Sequence, residues 1–366
     1  MSEYIVVPRE RAGIELDEFL CLWFPEWNKG FVRRQVRAGK VLVDGAPAQP
    51  SQILRVDQVL ILDIDADDEP QPPRSQPGVT LELLYEDDDV LVVQKPAGLA
   101  VEPERWARDR GSVAGGLLQL ALDRARVARE PDPGLAEFDP LGVHGEADGD
   151  ESPVDGDTER LALEMRPRIV HRLDKDTTGA LLVAKHLEAE RALRSAFESG
   201  SVGKRYLALV EGEHPLADGE SEIIDLPLGP NARRSGAMRV HAEGKPSRTR
   251  VWVEERFRGY TLMGCEPLTG RTHQIRVHLS HVGFPLVVDP LYGRNDTLLL
   301  SSFKPNYRAK RGRPERPLMG RLTLHAAGLD LPSPSDPERR IVVEAPLPKD
   351  FTVTLKKLSK YRSPRT

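Results

Sequence analysis

Asp174 stands in the polar run His171-Arg172-Leu173-Asp174-Lys175-Asp176-Thr177-Thr178-Gly179, between the apolar step Ile169-Val170 and the apolar run 180–184. A carboxylate there either shapes the turn or acts as nucleophile or base, because acids seldom sit at the edge of a core without a partner or a task. A second cluster lies in 268–293, LTGRTHQIRVHLSHVGFPLVVDPLYG. Arg271, His273 and Arg276 crowd a segment where Ile275, Val277 and Leu279 alternate as buried residues. A guanidinium among so many apolar side chains needs a carboxylate or phosphate partner, and Asp174 is the obvious carboxylate. His273, His278 and His281 raise a metal site, and a metal-dependent hydrolase with it. No Cys accompanies them, and the interleaved arginines repel cations, so no metal is expected. Tyr206 opens the apolar run 207–210 after Lys204-Arg205, and taken alone it reads as a core tyrosine. Lys95-Pro96-Ala97-Gly98-Leu99 follows the apolar run 90–93 as a rigid turn whose lysine is expected to face a phosphate.

The elements that must position these groups fall into three segments. In 1–62, Leu16, Phe19, Leu20 and Trp23 recur at helical spacing. Asn28 then caps a second helix with Val32 and Val36 turned inward. The run 41–43, an Asp44-Gly45 turn and the stretch 53–61 form a small β-layer. The 63–78 stretch is an acidic linker carrying Pro70, Pro72, Pro73 and Pro77. The main domain, 79–356, mixes strand-like runs at 90–93, 180–184, 206–210 and 251–253 with a helical stretch at 186–199, an α+β pattern. Pro, Gly and acids with few large apolar groups mark 130–160 as a mobile surface insertion, and 357–366 as a frayed basic tail.

Composition bounds the partner. Apolar residues make up 39% of the 366, enough for a sizeable core, yet no apolar run nears the ~20 residues of a membrane span. The start lacks a secretory pattern, and Cys21 and Cys265 in apolar contexts suit buried thiols in a reducing cytoplasm. The net charge of −5, taken alone, argues against nucleic acid. However, five acids in 63–69 and eleven in 130–159 sit without Lys or Arg, and setting these sixteen aside leaves +11. The body is basic and its connectors acidic, which suits an anionic polymer. Lys29, Arg33 and Arg37 lie four apart on one helix side, with Arg34 and Lys40 nearby and no acid in 29–40.

In this order, KPAGL, HRLDKDTTG, KRYLALV and GRTHQIRVHL with DPLYG, followed by Leu324-His325-Ala326, resemble the RNA pseudouridine synthases of the large ribosomal and transfer RNA family. Residues 13–62 resemble the alpha-L RNA-binding motif. The likeness spans 13–62, 80–103 and 165–350. It implies a pseudouridine synthase fold with a mixed, largely antiparallel sheet and flanking helices. It also implies isomerisation of uridine in structured RNA, with large-subunit ribosomal RNA favoured over transfer RNA, by a monomer without cofactor. Carried over by position, Asp174 is the catalytic aspartate, Tyr206 stacks on the target base and Arg276 pairs with Asp174. Arg172 fills the gap left by the flipped uridine. Arg271, His273 and Lys95, with Arg33, Arg34, Arg37 and Lys40 of the first segment, contact RNA. Val101-Glu102-Pro103, Phe284 and Val288 depart from the family pattern, which usually has Val-His-Pro, His and Gly there. The rival reading is a non-catalytic RNA-binding or ribosome-assembly protein.

Overall fold

The computed structural model describes residues 3–24, 27, 29–64, 76, 78–103, 111–129, 166–308 and 312–364. The 131–158 core of the insertion, most of the 63–78 linker and the Asn28 cap lie outside the described residues. The chain divides into two compact units, Met1–Ser75 with Leu118–Arg166, and Gln76–Leu117 with Pro167–Thr366.

In the first unit β1 (Glu3–Val6) is followed by α1 (Leu16–Trp23), α2 (Lys29–Arg37), β2 (Val41–Val43), β3 (Ala46–Pro47) and β4 (Val59–Leu62). The strands form an antiparallel sheet in the order β1-β4-β2-β3. Asp44 and Gly45 both have positive φ, 51° and 78°, the backbone a two-residue hairpin turn with the twist of its strands requires. Leu16, Phe19 and Leu20 of α1 and Val32 and Val36 of α2 are buried with Leu60 and Leu62 in one core. Trp23 departs from the helical pattern: it is 39% exposed and its ring stacks on Phe19, so it covers the rim of this core.

The second unit is built on a ten-stranded sheet. Its strands are β5 (Glu82–Glu86), β6 (Val90–Lys95), β7 (Arg168–Ile169), β8 (Thr178–Ala184), β9 (Gly203–Glu211) and β10 (Ser221–Asp225), then β13 (Arg248–Phe257), β14 (Tyr260–Pro267), β15 (Leu324–Pro332) and β16 (Arg340–Glu344). A separate hairpin pairs β11 (Leu228–Pro230) with β12 (Met238–Val240). The main path runs β10-β13-β14-β9-β15-β8-β6-β5, with β16 on β15 and β7 on β8. All of these pairings are antiparallel except β15 with β8. The helices of the chain after α2 are α3 (Val113–Arg129), α4 (Leu187–Glu198), α5 (Gln274–His281) and α6 (Lys349–Tyr361). This is the expected α+β architecture with a largely antiparallel sheet.

Every residue of β8 is buried, which is why its sequence is continuously apolar rather than alternating. Leu182 packs with Val90, Val92 and Leu193 of α4, while Leu209, Phe257, Phe351 and Leu358 form another cluster that includes α6. Two expectations change. The 275–279 stretch is α5, not an alternating segment: Gln274 through Leu279 are all buried, so its sequence has no polar face to show a helical period. The tail expected from 357 continues α6 to Tyr361, because Leu358 is fully buried.

One row of paired residues crosses three strands. Gly179 on β8 pairs with Ala326 on β15, and Ala326 pairs with Tyr206 on β9. At about 4.8 Å per strand, Tyr206 lies about 10 Å across the sheet from the end of the Asp174 turn. Gly179 has φ 119°, and a Cβ there would collide with the Ala326 carbonyl, so this close crossing requires glycine.

Candidate active site

The Asp174 turn is fixed at several points. The Thr177 N–H donates to the Asp174 carbonyl at 3.0 Å. The neighbouring Lys175 carbonyl accepts from Lys95 Nζ at 2.7 Å and from the Gly98 N–H at 3.0 Å. Lys95 Nζ also donates to the Pro96 carbonyl at 2.8 Å. Lys95 is fully buried, so it ties the KPAGL turn to the aspartate turn and is not the phosphate contact expected of it. Burial is the main reason its ammonium is pushed down to about 8, with Asp176 and Asp174 opposing. His171 accepts the Leu182 N–H at Nε2 (2.8 Å) and lies against Phe197. Burial, helped by Lys204, pushes it down to about 3, so it is a neutral acceptor that anchors the turn to β8.

Arg276 projects from α5 into this corner and uses every edge of its guanidinium. Nη1 donates to Asp174 Oδ2 at 3.0 Å. Nε and Nη2 donate to Asp289 Oδ2 and Oδ1, both at 2.8 Å. The face of the group lies over Tyr292, 5.0 Å from the ring centroid. Burial works against its charge, but the hydrogen bonds and charge of Asp289, and then those of Asp174, outweigh it and hold the guanidinium above its ordinary range. Exposure falls along the triad, from 26% for the Asp174 side chain to 7% for Arg276 and none for Asp289. The aspartate that faces the opening is therefore Asp174.

His273 enters α5 with φ 55° and places Nε2 3.9 Å from Asp174 Oδ2, too long for a hydrogen bond. Its Nδ1 lies 2.7 Å from the Tyr292 hydroxyl, which itself accepts the Met238 N–H at 2.7 Å. Burial lowers the His273 pKa despite Asp174, and burial raises that of Tyr292. A neutral ring that accepts the Tyr292 O–H at Nδ1 turns an Nε2–H toward Asp174. Tyr206 is half-buried against the core of β9 and β14, and burial together with the Asp174 charge raises its phenol pKa, so it stays protonated.

The structure thus brings together Asp174, Tyr206, Arg276 and His273. Arg271 is exposed and its Nε reaches the Pro246 carbonyl, outside the triad. Arg172 is exposed beside Asp174 in the chain. In the first unit, Arg34 and Arg37 are exposed and Lys40 is half-buried. Arg33 differs from expectation: its Nε donates at 2.6 Å to Asp17, an acid buried on α1, with Lys29 3.7 Å from the same carboxylate. A buried acid requires such a partner, so Arg33 serves the fold of the module.

Asp289 and Tyr292 were missed by sequence reasoning, because an Asp-Pro step and a Tyr-Gly step read as turn chemistry. The only signal was the DPLYG motif itself. Gln274 was missed too. It donates to the Arg248 carbonyl and Thr249 Oγ1 and accepts from Thr269 Oγ1 and the Arg271 N–H, using all of its amide to seat α5. His278 is held by Thr249 and the Leu226 carbonyl, so its ring nitrogens are engaged in packing α5. Among the described residues there is no cluster of three or more His, Cys, Asp or Glu able to hold a metal, and no helix long and apolar enough to cross a membrane.

A solvent-facing aspartate oriented by a buried guanidinium, beside a tyrosine on a sheet floor, is a site for polar chemistry on a planar substrate. A family model described as RNA pseudouridylate synthase matches residues 89–281. The chain is 34% identical to "Ribosomal large subunit pseudouridine synthase D" of Pseudomonas aeruginosa, over 94% of this chain and 92% of that protein. It is 31% identical to "Ribosomal large subunit pseudouridine synthase C" of Escherichia coli, over 98% and 97%. It is also 31% identical to "Uncharacterized RNA pseudouridine synthase YlyB" of Bacillus subtilis, over 97% and 98%. The chain belongs to the RNA pseudouridylate synthase family. It is an RNA pseudouridine synthase, an isomerase that modifies RNA.

Proposed function

We propose that this enzyme converts uridine in large-subunit ribosomal RNA to pseudouridine, with Asp174 as its catalytic carboxylate. The observation that carries the residue assignment is the Arg276 Nη1 to Asp174 Oδ2 contact at 3.0 Å, at the one partly exposed member of the charged triad. The relatives named for the large ribosomal subunit support the substrate class. The reaction breaks the N1–C1′ bond, rotates the uracil and joins C5 to C1′, while the C5 proton is lost and N1 regains one. An ionised carboxylate serves this as nucleophile or as base at the ribose. Arg276 favours that ionised form and fixes its direction. Uridine inside folded RNA must first be extruded, at a cost of a few kcal/mol. Tyr206 offsets about 1–3 kcal/mol of it by stacking on the base. Arg172, exposed next to the turn, takes the vacated position. Residues 1–62 act as an alpha-L module that grips RNA phosphates through Arg34, Arg37 and Lys40, and Arg271 adds a contact near the catalytic cleft. The enzyme works as a cytoplasmic monomer.

The test is carbodiimide mapping of pseudouridine in RNA from a deletion strain complemented with the wild type or with Asp174→Asn. Specific ribosomal positions should be lost on deletion, return with the wild type and stay absent with the variant, whose RNA affinity persists. Loss at transfer RNA positions would replace the substrate assignment. An unchanged map would leave a binding protein, and an active Asp174→Asn would remove the residue assignment.

A further inference from the structure

We propose that Asp289 is a positioning residue for the reaction: by occupying two edges of Arg276 it leaves Asp174 a single guanidinium contact, so the catalytic carboxylate is aimed without being neutralised. This rests on the reading of Asp174 given above.

The geometry carries the argument. Asp289 takes Nε and Nη2 of Arg276 side-on, each at 2.8 Å, in the two-pronged arrangement that a guanidinium otherwise offers to any carboxylate in reach. Asp289 cannot turn away. Its Oδ1 also accepts the Leu291 N–H at 2.8 Å and the Tyr292 N–H at 3.1 Å, and its side chain has no exposed surface. The DPLYG turn that carries it is itself held by Arg234, whose Nη1 and Nη2 donate to the Leu291 and Pro290 carbonyls at 2.6 and 2.8 Å. The guanidinium is thereby locked in rotation, and only Nη1 is left to reach Asp174 Oδ2. Among the described residues, no hydrogen bond is made to Asp174 Oδ1. One cation shared by two carboxylates leaves the triad with one net negative charge, on the member that faces the opening. Without Asp289 the guanidinium is free to swing its two-pronged edge onto Asp174. That would tie up both oxygens and give the catalytic acid an undivided positive partner.

The experiment compares wild type, Asp289→Asn and Asp289→Glu on an RNA transcript bearing the target site. It measures kcat, KM, RNA affinity and the pH dependence of single-turnover rate, with thermal melting to check the fold. Asp289→Asn should lower kcat about 10- to 100-fold, the scale of losses from displacing a catalytic group by about 1 Å. KM and RNA affinity should change less than about threefold. The acid limb of its rate profile should move to lower pH, because Arg276 then favours the Asp174 carboxylate alone. Asp289→Glu keeps the negative charge but displaces the guanidinium by a methylene. It should lose kcat while its acid limb stays in place, and this arm stands even where Asp289→Asn fails to fold. A folded Asp289→Asn with an unmoved acid limb and near-normal kcat overturns the proposal, as does an Asp289→Glu enzyme with full turnover. Either result beside an inactive Asp174→Asn sinks only the role of Asp289, whereas an active Asp174→Asn sinks the reading on which it rests.

Discussion

Replacing the buried Lys95 with methionine isolates the contribution of a single ammonium to the platform under Asp174. The chain length and the apolar stem are kept, while the charge and the bonds to the Pro96 and Lys175 carbonyls are removed. Two opposing terms are set by the structure. A fall in pKa from 10.5 to about 8 corresponds to about 3 kcal/mol by which the folded state disfavours the charged lysine. The two hydrogen bonds contribute about 1–2 kcal/mol each, and the Lys175 carbonyl retains the Gly98 N–H after substitution. At pH 7 the terms nearly cancel, so Lys95→Met should lie within about 2 kcal/mol of the wild type. Above pH 8 they separate. The folded protein gives up the Lys95 proton first, the unfolded chain keeps it until about 10.5, and stability rises with pH wherever the unfolded state binds more protons. The neutral amine still donates both hydrogen bonds. The wild type should therefore gain about 2.5 kcal/mol over the variant between pH 7 and pH 10. Urea transitions of both proteins at pH 7, 8, 9 and 10, followed by circular dichroism, measure this directly, since every other titrating group cancels in the difference. A difference that stays flat across that range would refute the buried, strained ammonium.

Two further outcomes come from the geometry. Tyr206→Phe keeps the aromatic face and should turn over within a few-fold of the wild type, whereas Tyr206→Ala should lose about 1–3 kcal/mol of stacking, or roughly 5- to 150-fold in kcat/KM. Single-turnover assays of both variants check this, and equal losses would assign the role to the hydroxyl instead. In the first unit, Arg34→Glu with Arg37→Glu should weaken RNA binding and flatten its salt dependence while leaving the fold intact. Arg33→Ala should instead lower the stability of the module by about 1–2 kcal/mol, because Asp17 loses its closest cation and keeps only Lys29. Filter binding across salt concentrations, paired with melting curves, separates the two.

Much of this protein was legible in the linear chain. The apolar runs gave the central strands because a strand buried on both faces must be apolar throughout, as β8 is. The Asp44-Gly45 step gave the hairpin because few other residues accept positive φ at both positions. Asp174, Tyr206 and Arg276 stood out because each carries a polar function where burial is otherwise expected. What the sequence left open were partnerships between segments far apart in the chain. It suggested one carboxylate for Arg276, and the fold supplies two, since only the folding of the DPLYG turn onto α5 sets Asp289 against the guanidinium. It offered Lys95 and Arg33 as cations for RNA, and the fold uses one to pin a turn and the other to answer a buried acid. Residue type and local spacing determine which groups can carry charge and which segments seek burial. Which carboxylate or carbonyl each cation meets depends on strand register and helix docking, and those exist only once the chain has packed.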